Sequence, residues 1–346
     1  MKKIIVAPLN WGLGHATRCV PIINSLIQHN FTPILASDGN SLAFLQQEFP
    51  TLERLELPTY NISYGKNIQW SLFKQTPFIL KAIKKEKALI ADYLIKNKDV
   101  VGIISDNRFG VRNDKIPSVY ITHQLNVLSG ITTFFTSKIH QNIINQFDEC
   151  WIPDNSNSEF SGELSQTENI NIPTKFIGAL SRFKKENLLK NIDVLIILSG
   201  PEPNRFQLEK RLLEEFKNFD GNVILIQGKV NKQQEIRVEK NIKICNYVLS
   251  DELQNLINSS KKVVCRSGYS SIMDLAVLEK KVFFIPTKGQ LEQEYLANRL
   301  QEKMIAPFSS EKKFRVETLS EVENYKGFKI KETIIDPNLL SLFHSK

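Results

Sequence analysis

Short runs that are apolar at every position alternate along the whole chain with stretches whose apolar residues recur at helical spacing. The runs predict strands over 4–7, 33–36, 100–105, 118–122, 149–152 and 175–177, then over 194–198, 223–227, 242–245, 262–265 and 282–285. The periodic stretches predict helices over 16–30, 41–48, 69–96, 205–218, 250–259, 270–279 and 290–301. Continuously apolar strands suit a parallel sheet buried on both faces, and the strand–helix alternation reads as doubly wound α/β. With 346 residues, two domains are expected. The charged, helix-like stretch 181–191 marks the boundary. The expected organisation is therefore two Rossmann-like parallel-sheet domains facing a cleft: residues 1–180, a linker over 181–191, and 192–346 with a C-terminal tail.

Composition narrows the classes. Apolar residues make up 42% of the chain, enough for a core in each domain. No apolar stretch approaches the roughly 20 residues that cross a bilayer, and no signal pattern opens the sequence, so a cytoplasmic protein is expected. The four cysteines are scattered with no CxxC pair, which argues against a disulfide framework and structural zinc. The net charge of +8 suits an anionic partner. The lysines are scattered without an aromatic-basic motif, which argues against nucleic acid.

Two loops carry candidate chemistry. Arg266-Ser267-Gly268-Tyr269-Ser270-Ser271 sits where a strand turns into a helix. A helix start presents backbone N–H groups and a partial positive charge. Gly268 admits a ligand close to the backbone, and Ser267, Ser270 and Ser271 add hydroxyls, so the segment reads as a phosphate cradle, with Asp274 one turn further in. Serine and glycine also cap ordinary helices, which is the competing interpretation.

The other loop, Gly12-Leu13-Gly14-His15, follows the first strand. Gly12 and Gly14 begin a dinucleotide fingerprint, and Asp38 stands near the ribose-binding position, but Thr17 occupies the third glycine position and Pro21 interrupts the early helix. A nicotinamide cofactor is not expected. His15 at a helix start is a candidate general base, with Asp106 placed to orient it or to cap its own turn. His123, closing a later strand, is a second candidate on the acceptor side.

These loops resemble a known family. Gly12-Leu13-Gly14-His15 resembles the acceptor-domain loop of GT-B fold glycosyltransferases. Arg266-Ser267-Gly268 through Asp274, then Pro286 and Gln290-Leu291-Glu292-Gln293-Glu294, resembles the donor site of glycosyltransferase family 28, the MurG-like family. The chain is also similar to uncharacterised bacterial predicted glycosyltransferases that share its Leu-Ser-Gly-Pro-Glu-Pro run. The resemblance implies an inverting, metal-independent transfer of a sugar from a UDP-sugar co-substrate, with no cofactor, to a sugar or lipid-linked acceptor of the cell envelope. It implies that Ser199 and Gly200 form the first donor loop and that Arg182 approaches the diphosphate. Val248 and Leu249 would hold the uracil, Asp274 the ribose, and Gln290, Glu292 and Gln293 the sugar hydroxyls. No Asp-x-Asp pair occurs, so no metal site of that type is expected.

A nucleotide-sugar 2-epimerase and a non-catalytic nucleotide-sugar-binding protein are the alternatives. The first would epimerise its substrate without an acceptor; the second would bind UDP without turnover. The acceptor is expected to meet variable loops over 60–77 and 125–141. Phe73, Phe78, Ile79, Ala82 and Ile83 among Lys74, Lys81, Lys84, Lys85 and Lys87, with Phe134 and Phe135 beside Lys138 and His140, suit peripheral contact with an anionic membrane at its inner face. Apolar packing on the sheet would produce the same pattern.

Overall fold

The computed structural model describes residues 2–60, 68–130, 133–200, 202–229, 233–330 and 336–344, without the side chains of 68–76 and 337. It divides into two compact units. The first comprises Met1–Leu180 with Thr333–Lys346, the second Ser181–Glu332.

Among the described residues the first unit is built on seven strands: β1 (Lys3–Pro8), β2 (Thr32–Ser37), β3 (Arg54–Glu56), β4 (Val100–Asp106), β5 (Ser118–Ile121), β6 (Glu149–Ile152) and β7 (Thr174–Phe176). All pair in parallel, in the order β3-β2-β1-β4-β5-β6-β7. The central strand serves both faces. Ile4 and Val6 pack toward α1 (Gly14–Gln28) and α2 (Gly39–Glu48), while Ile5 and Ala7 pack toward α3 (Ile68–Lys96). A further helix, α4 (Thr133–Ile144), flanks the later strands.

In the second unit β8 (Ile192–Ile197), β9 (Val223–Ile226), β10 (Ile236–Glu239), β11 (Ile242–Cys245), β12 (Ser260–Cys265) and β13 (Val282–Phe284) order as β10-β11-β9-β8-β12-β13. Only the edge pair β10–β11 is antiparallel among them. The helices are α5 (Asn204–Phe216), α6 (Ser250–Ser259), α7 (Tyr269–Val277) and α8 (Leu291–Glu302).

Each sheet has one point where the chain's direction of travel reverses. In the first it lies between β1 and β4, in the second between β8 and β12. The loops leaving those strands diverge and open a crevice at the carboxyl edge, where ligands of such sheets bind. The two candidate loops leave β1 and β12.

Several expectations change. The stretch 181–191 is not helical. Its backbone is held by side chains of α6 instead: the Lys184 and Glu186 N–H groups donate to Gln254 and Asn258, and the Lys184 carbonyl accepts from Asn258. The tail assigned to the second domain packs on the first. Leu339, Leu340 and Phe343 join the core beneath α1, with the Phe343 ring against Trp151 and directly over Gly102. α1 runs through Pro21 without the expected interruption, while α3 runs through Pro77 as the helix expected over 69–96 does. Much of the supposed loop 125–141 is α4, whereas residues 61–67 and Pro201 lie outside the described residues.

Candidate functional site

In the first unit the crevice between β1 and β4 holds a charged cluster. Pro8 and Asp106 are register partners, and the Leu9 N–H donates to the Asp106 carbonyl at 2.9 Å, so the two strand ends are locked together. α1 begins at Gly14 with no side-chain cap, which sets His15 and Arg18 one turn apart on the same helix face. Asp106 is fully buried. Its carboxylate accepts from Arg18 through both Nε and Nη2, and its Oδ1 lies 2.9 Å from His15 Nδ1. Burial opposes the charge on Asp106, but the Arg18 guanidinium and His15 outweigh it and hold the carboxyl well below its usual range. Arg18 also lies 2.9 Å from His15 Nδ1 through Nη2 and 3.2 Å from His123 Nδ1 through Nη1. The structure thus brings together His15, Asp106 and His123, and adds Arg18, which the sequence reading missed. The available signal was its i+3 spacing from His15.

Asp38 is not available to a ribose. It pairs with the fully buried Arg108 and accepts from Asn10 Nδ2 at 3.1 Å. Arg108 also bonds Glu86 at 2.7 Å and the Pro8 carbonyl at 3.2 Å. Burial pushes the Glu86 carboxyl up. The hydrogen bonds from the Tyr60 hydroxyl and the Gly110 N–H oppose that shift without cancelling it, and Arg108 donates to the same carboxyl. This network braces the loop after β4. Gly12 at φ +78° has nothing within 4 Å of where a Cβ would stand, so the turn before His15 is open.

In the second unit three glycines follow three strands: Gly200 after β8, Gly268 after β12 and Gly289 after β13. Among the described residues, chain neighbours aside, a Cβ at any of the three would meet nothing within 4 Å, so the backbone is open to a ligand at each. Gly268 caps α7 and has no side chain to bond the helix start. Beneath it, Arg266 is buried and donates to the Ile285 and Pro286 carbonyls at 3.0 and 3.2 Å, tying the end of β12 to the loop after β13.

The other predicted donor-site residues fall into two groups. Ser267 is buried and donates to the Gln293 carbonyl at 2.8 Å, so its proton ties the cradle to α8 rather than reaching outward. Gln293 Oε1 accepts from the Thr287 N–H at 2.8 Å, which fixes the side chain with its amide N–H₂ still to offer a sugar. Ser270, Ser271, Gln290 and Glu292 are partly exposed around the same helix starts, Ser199 and Leu249 are exposed, and Val248 is half-buried at the entry to α6. Arg182 stacks over Phe183, 4.7 Å from the ring centre. Asp274 is half-buried and accepts from the Ser181 hydroxyl at 2.6 Å.

Burial pushes the Asp274 carboxyl up to about 6, although Arg182 and Ser181 favour its charge. Between about pH 4 and 6 the folded protein keeps a proton that the unfolded chain has released. This group's contribution to stability therefore falls as pH rises through that window. Asp274→Asn keeps an acceptor for Ser181 and removes the charge. It should be more stable than the parent above pH 6 by about 1–2 kcal/mol, with the gap closing by about pH 4. Thermal melts from pH 4 to 8 check this; a variant that melts lower than the parent at pH 7.5 contradicts it.

Residues 203–324 match the family model of the glycosyltransferase family 28 C-terminal domain. The matched stretch makes up most of the second unit, which is thus similar to the C-terminal domain of glycosyltransferase family 28. A relative from Haemophilus ducreyi, the UDP-N-acetylglucosamine–N-acetylmuramyl-(pentapeptide) pyrophosphoryl-undecaprenol N-acetylglucosamine transferase, is 23% identical over 268 residues, 71% of each chain. Among solved structures, the kitacinnamycin glycosyltransferase superposes with a TM-score of 0.65 at 13% identity, over 99% of this chain and 93% of its own. The MurG of Acinetobacter baumannii superposes at 0.54 and 14% identity, over 94% and 90%. The architecture is the GT-B fold, and with its family 28 domain the chain is a glycosyltransferase. The open glycines lie at Gly268 and Gly289 within the matched residues and at Gly200 just before them.

Proposed function

We propose that the chain transfers a sugar from a UDP-sugar to a lipid-linked saccharide acceptor, with inversion and without a metal ion. The observation that carries this is the match to the family 28 C-terminal domain, with the open glycines Gly200 and Gly268 at the switch point of the second sheet. The diphosphate would rest on the backbone at Gly200 and Gly268 and at the start of α7, with Ser270, Ser271 and Arg182 contributing donors and charge. Asp274 would take the ribose hydroxyls. Val248 and Leu249 would border the uracil, and Gln290, Glu292 and the Gln293 amide the sugar.

In the first unit His15 would take the proton of the acceptor hydroxyl at Nε2 as that oxygen bonds to the anomeric carbon. The bond from that carbon to the diphosphate breaks as the new one forms, and UDP leaves with the electron pair. A single displacement inverts the anomeric carbon. The name of the Haemophilus ducreyi relative supplies the donor and acceptor classes. The direct test supplies UDP-sugars and lipid-linked saccharides with and without EDTA, and follows UDP release and the anomer formed. Inverted product insensitive to EDTA is expected. Retained configuration, abolition by EDTA, or absence of UDP binding in calorimetry would each refute the corresponding part.

The acceptor would be met at a membrane surface. Phe78 is 67% exposed, and Phe134 and Phe135 are 71% and 68% exposed. Lys81, Lys84, Lys85, Lys87 and Lys138 are exposed on the same two helices, α3 and α4. Part of the sequence expectation changes. Ala82 is buried and Ile83 half-buried against Leu9 and Tyr60, and His140 is buried 3.0 Å from the Tyr120 hydroxyl, so none of these belongs to that surface. The side chains of Phe73 and Lys74 lie outside the described residues. Among the described residues no helix is long and apolar enough to cross a membrane. The protein should sediment with vesicles of anionic lipid at low salt and release as salt rises. Phe134→Ser with Phe135→Ser should weaken sedimentation severalfold without lowering the melting temperature. Failure of the parent to sediment at low salt removes the membrane from the proposal.

A further inference from the structure

The Leu-Ser-Gly-Pro-Glu-Pro run brings a carboxylate into the loop of Gly200, where the diphosphate is proposed to rest. A negative charge there opposes an anionic ligand, so the position needs a compensating role. Glu202 is exposed, yet both of its oxygens are engaged. Oε1 accepts from Arg205 Nη2, and Oε2 accepts from the Phe206 N–H at 3.1 Å, in the first turn of α5. Burial opposes the charge, but Arg205 and the Phe206 N–H outweigh it and hold the carboxyl below its usual range.

Arg205 is the first cation after Gly200 and invites assignment to the diphosphate. It is buried, however, and turned toward the protein. Nη1 donates to Glu209 Oε2 at 2.9 Å and to the Gln227 carbonyl at 3.0 Å, while Nη2 serves Glu202. Glu209 is buried as well, and its other oxygen accepts from Gln227 Nε2. Lys229 and Arg237 face the same carboxylate at 3.9 and 3.8 Å. Gln227, which directly follows β9, is thus gripped through both its carbonyl and its side chain. The next residue, Gly228, lies so close to β8 that a Cβ there would stand 2.5 Å from the Leu198 carbonyl. Donors and acceptors alternate without a break from Gln227 through Glu209 and Arg205 to Glu202.

We infer that Glu202 is a positioning residue of the donor site: it ties the loop of Gly200, through buried Arg205, to the end of β9, and so fixes the backbone that meets the diphosphate. The inference rests on the proposed diphosphate contact at Gly200. Backbone N–H groups stabilise an anion best when they are aimed beforehand and need not reorganise as it arrives. Gly200 has no side chain to anchor its own loop, and Glu202 stands two residues further on.

The sign of one effect separates positioning from charge. On charge alone, Glu202→Ala and Glu202→Gln remove a repulsion and raise UDP affinity equally. As a brace, Glu202→Ala lowers UDP affinity about tenfold, the loss that accompanies one charge-assisted hydrogen bond, and Glu202→Gln, which keeps an acceptor, falls less. Uridine, which lacks the diphosphate, should bind all three proteins alike, and their melting temperatures should agree. Arg205→Lys, whose single nitrogen does not span the three acceptors, should match Glu202→Ala. Calorimetry measures UDP, and ligand-detected NMR the weaker uridine. UDP affinity that rises or stays unchanged in Glu202→Ala overturns the inference, as does an equal loss for uridine. A parent that binds no UDP refutes the proposed donor site and this inference with it; a parent that binds UDP beside variants that bind it as well or better overturns the inference alone. Glu202 is exposed, so its variants decide the matter even where Arg205→Lys does not fold.

Discussion

Replacing His15 with alanine should lower transfer about 10²–10⁴-fold, the usual contribution of a positioned general base, while leaving UDP affinity unchanged. The expectation follows from its setting. Among ring nitrogens near Asp106, Nδ1 of His15 is the one in direct contact with the carboxylate, and the ring keeps 16% of its surface exposed beside an open turn at Gly12. Asp106 holds the ring from a fully buried position, so Asp106→Asn should also slow transfer, by misorienting the base rather than by removing it. The two variants separate by folding cost. Asp106→Asn leaves the buried Arg18 charge without its counter-ion, which typically destabilises by about 3–5 kcal/mol, whereas His15→Ala removes a partly exposed ring. Steady-state rates at saturating donor, with calorimetry on UDP, check this. If His15→Ala retains turnover within a fewfold, the base lies elsewhere.

Gly268→Ala should weaken UDP binding about ten- to a hundredfold and leave the melting temperature of the free protein unchanged. The backbone at Gly268 has φ −72° and ψ 143°, which alanine adopts without strain, and among the described residues, chain neighbours aside, the added methyl would meet nothing within 4 Å. The free protein therefore tolerates it. A diphosphate would not, because the methyl occupies the space through which its oxygens approach the start of α7. Losing charge-assisted hydrogen bonds of that kind costs about 1.5–3 kcal/mol each. Ser270→Ala and Asp274→Ala should reduce affinity to a similar extent. Calorimetry beside thermal melts separates the two effects: unchanged UDP affinity in Gly268→Ala would place the diphosphate away from this helix.

The sheet strands were legible because burial on both faces imposes unbroken apolar runs, as in Ile4-Ile5-Val6-Ala7 and Val194-Leu195-Ile196-Ile197. The edge strands β3 and β10 were not. Arg-Leu-Glu and Ile-Arg-Val-Glu are largely exposed and carry no such run. The stretch 181–191 has the composition of a helix, but Gln254 and Asn258 claim its backbone groups, and partners some 70 residues away leave no local trace. At the candidate sites, Gly12, His15 and Gly268 were legible from their place after a strand. Arg18 and Arg108 were not, because a buried arginine is defined by a carboxylate distant in sequence, 88 residues away for Arg18 and 70 for Arg108. Ser267 was read as a phosphate donor because sequence cannot show that its proton is already committed to Gln293.

Phe343 lies in the core of the first unit although the whole of the second unit separates it from Leu180. Its ring covers Gly102 on β4 and reaches Trp151 on β6. During synthesis, then, the first 180 residues emerge with a gap in their core that only a segment translated some 150 residues later can fill. The second unit is contiguous and can close as soon as it is made. The order of completion is thereby inverted: the unit made first is finished last. The core around β4 and β6 is thus closed by residues that follow the second unit in sequence.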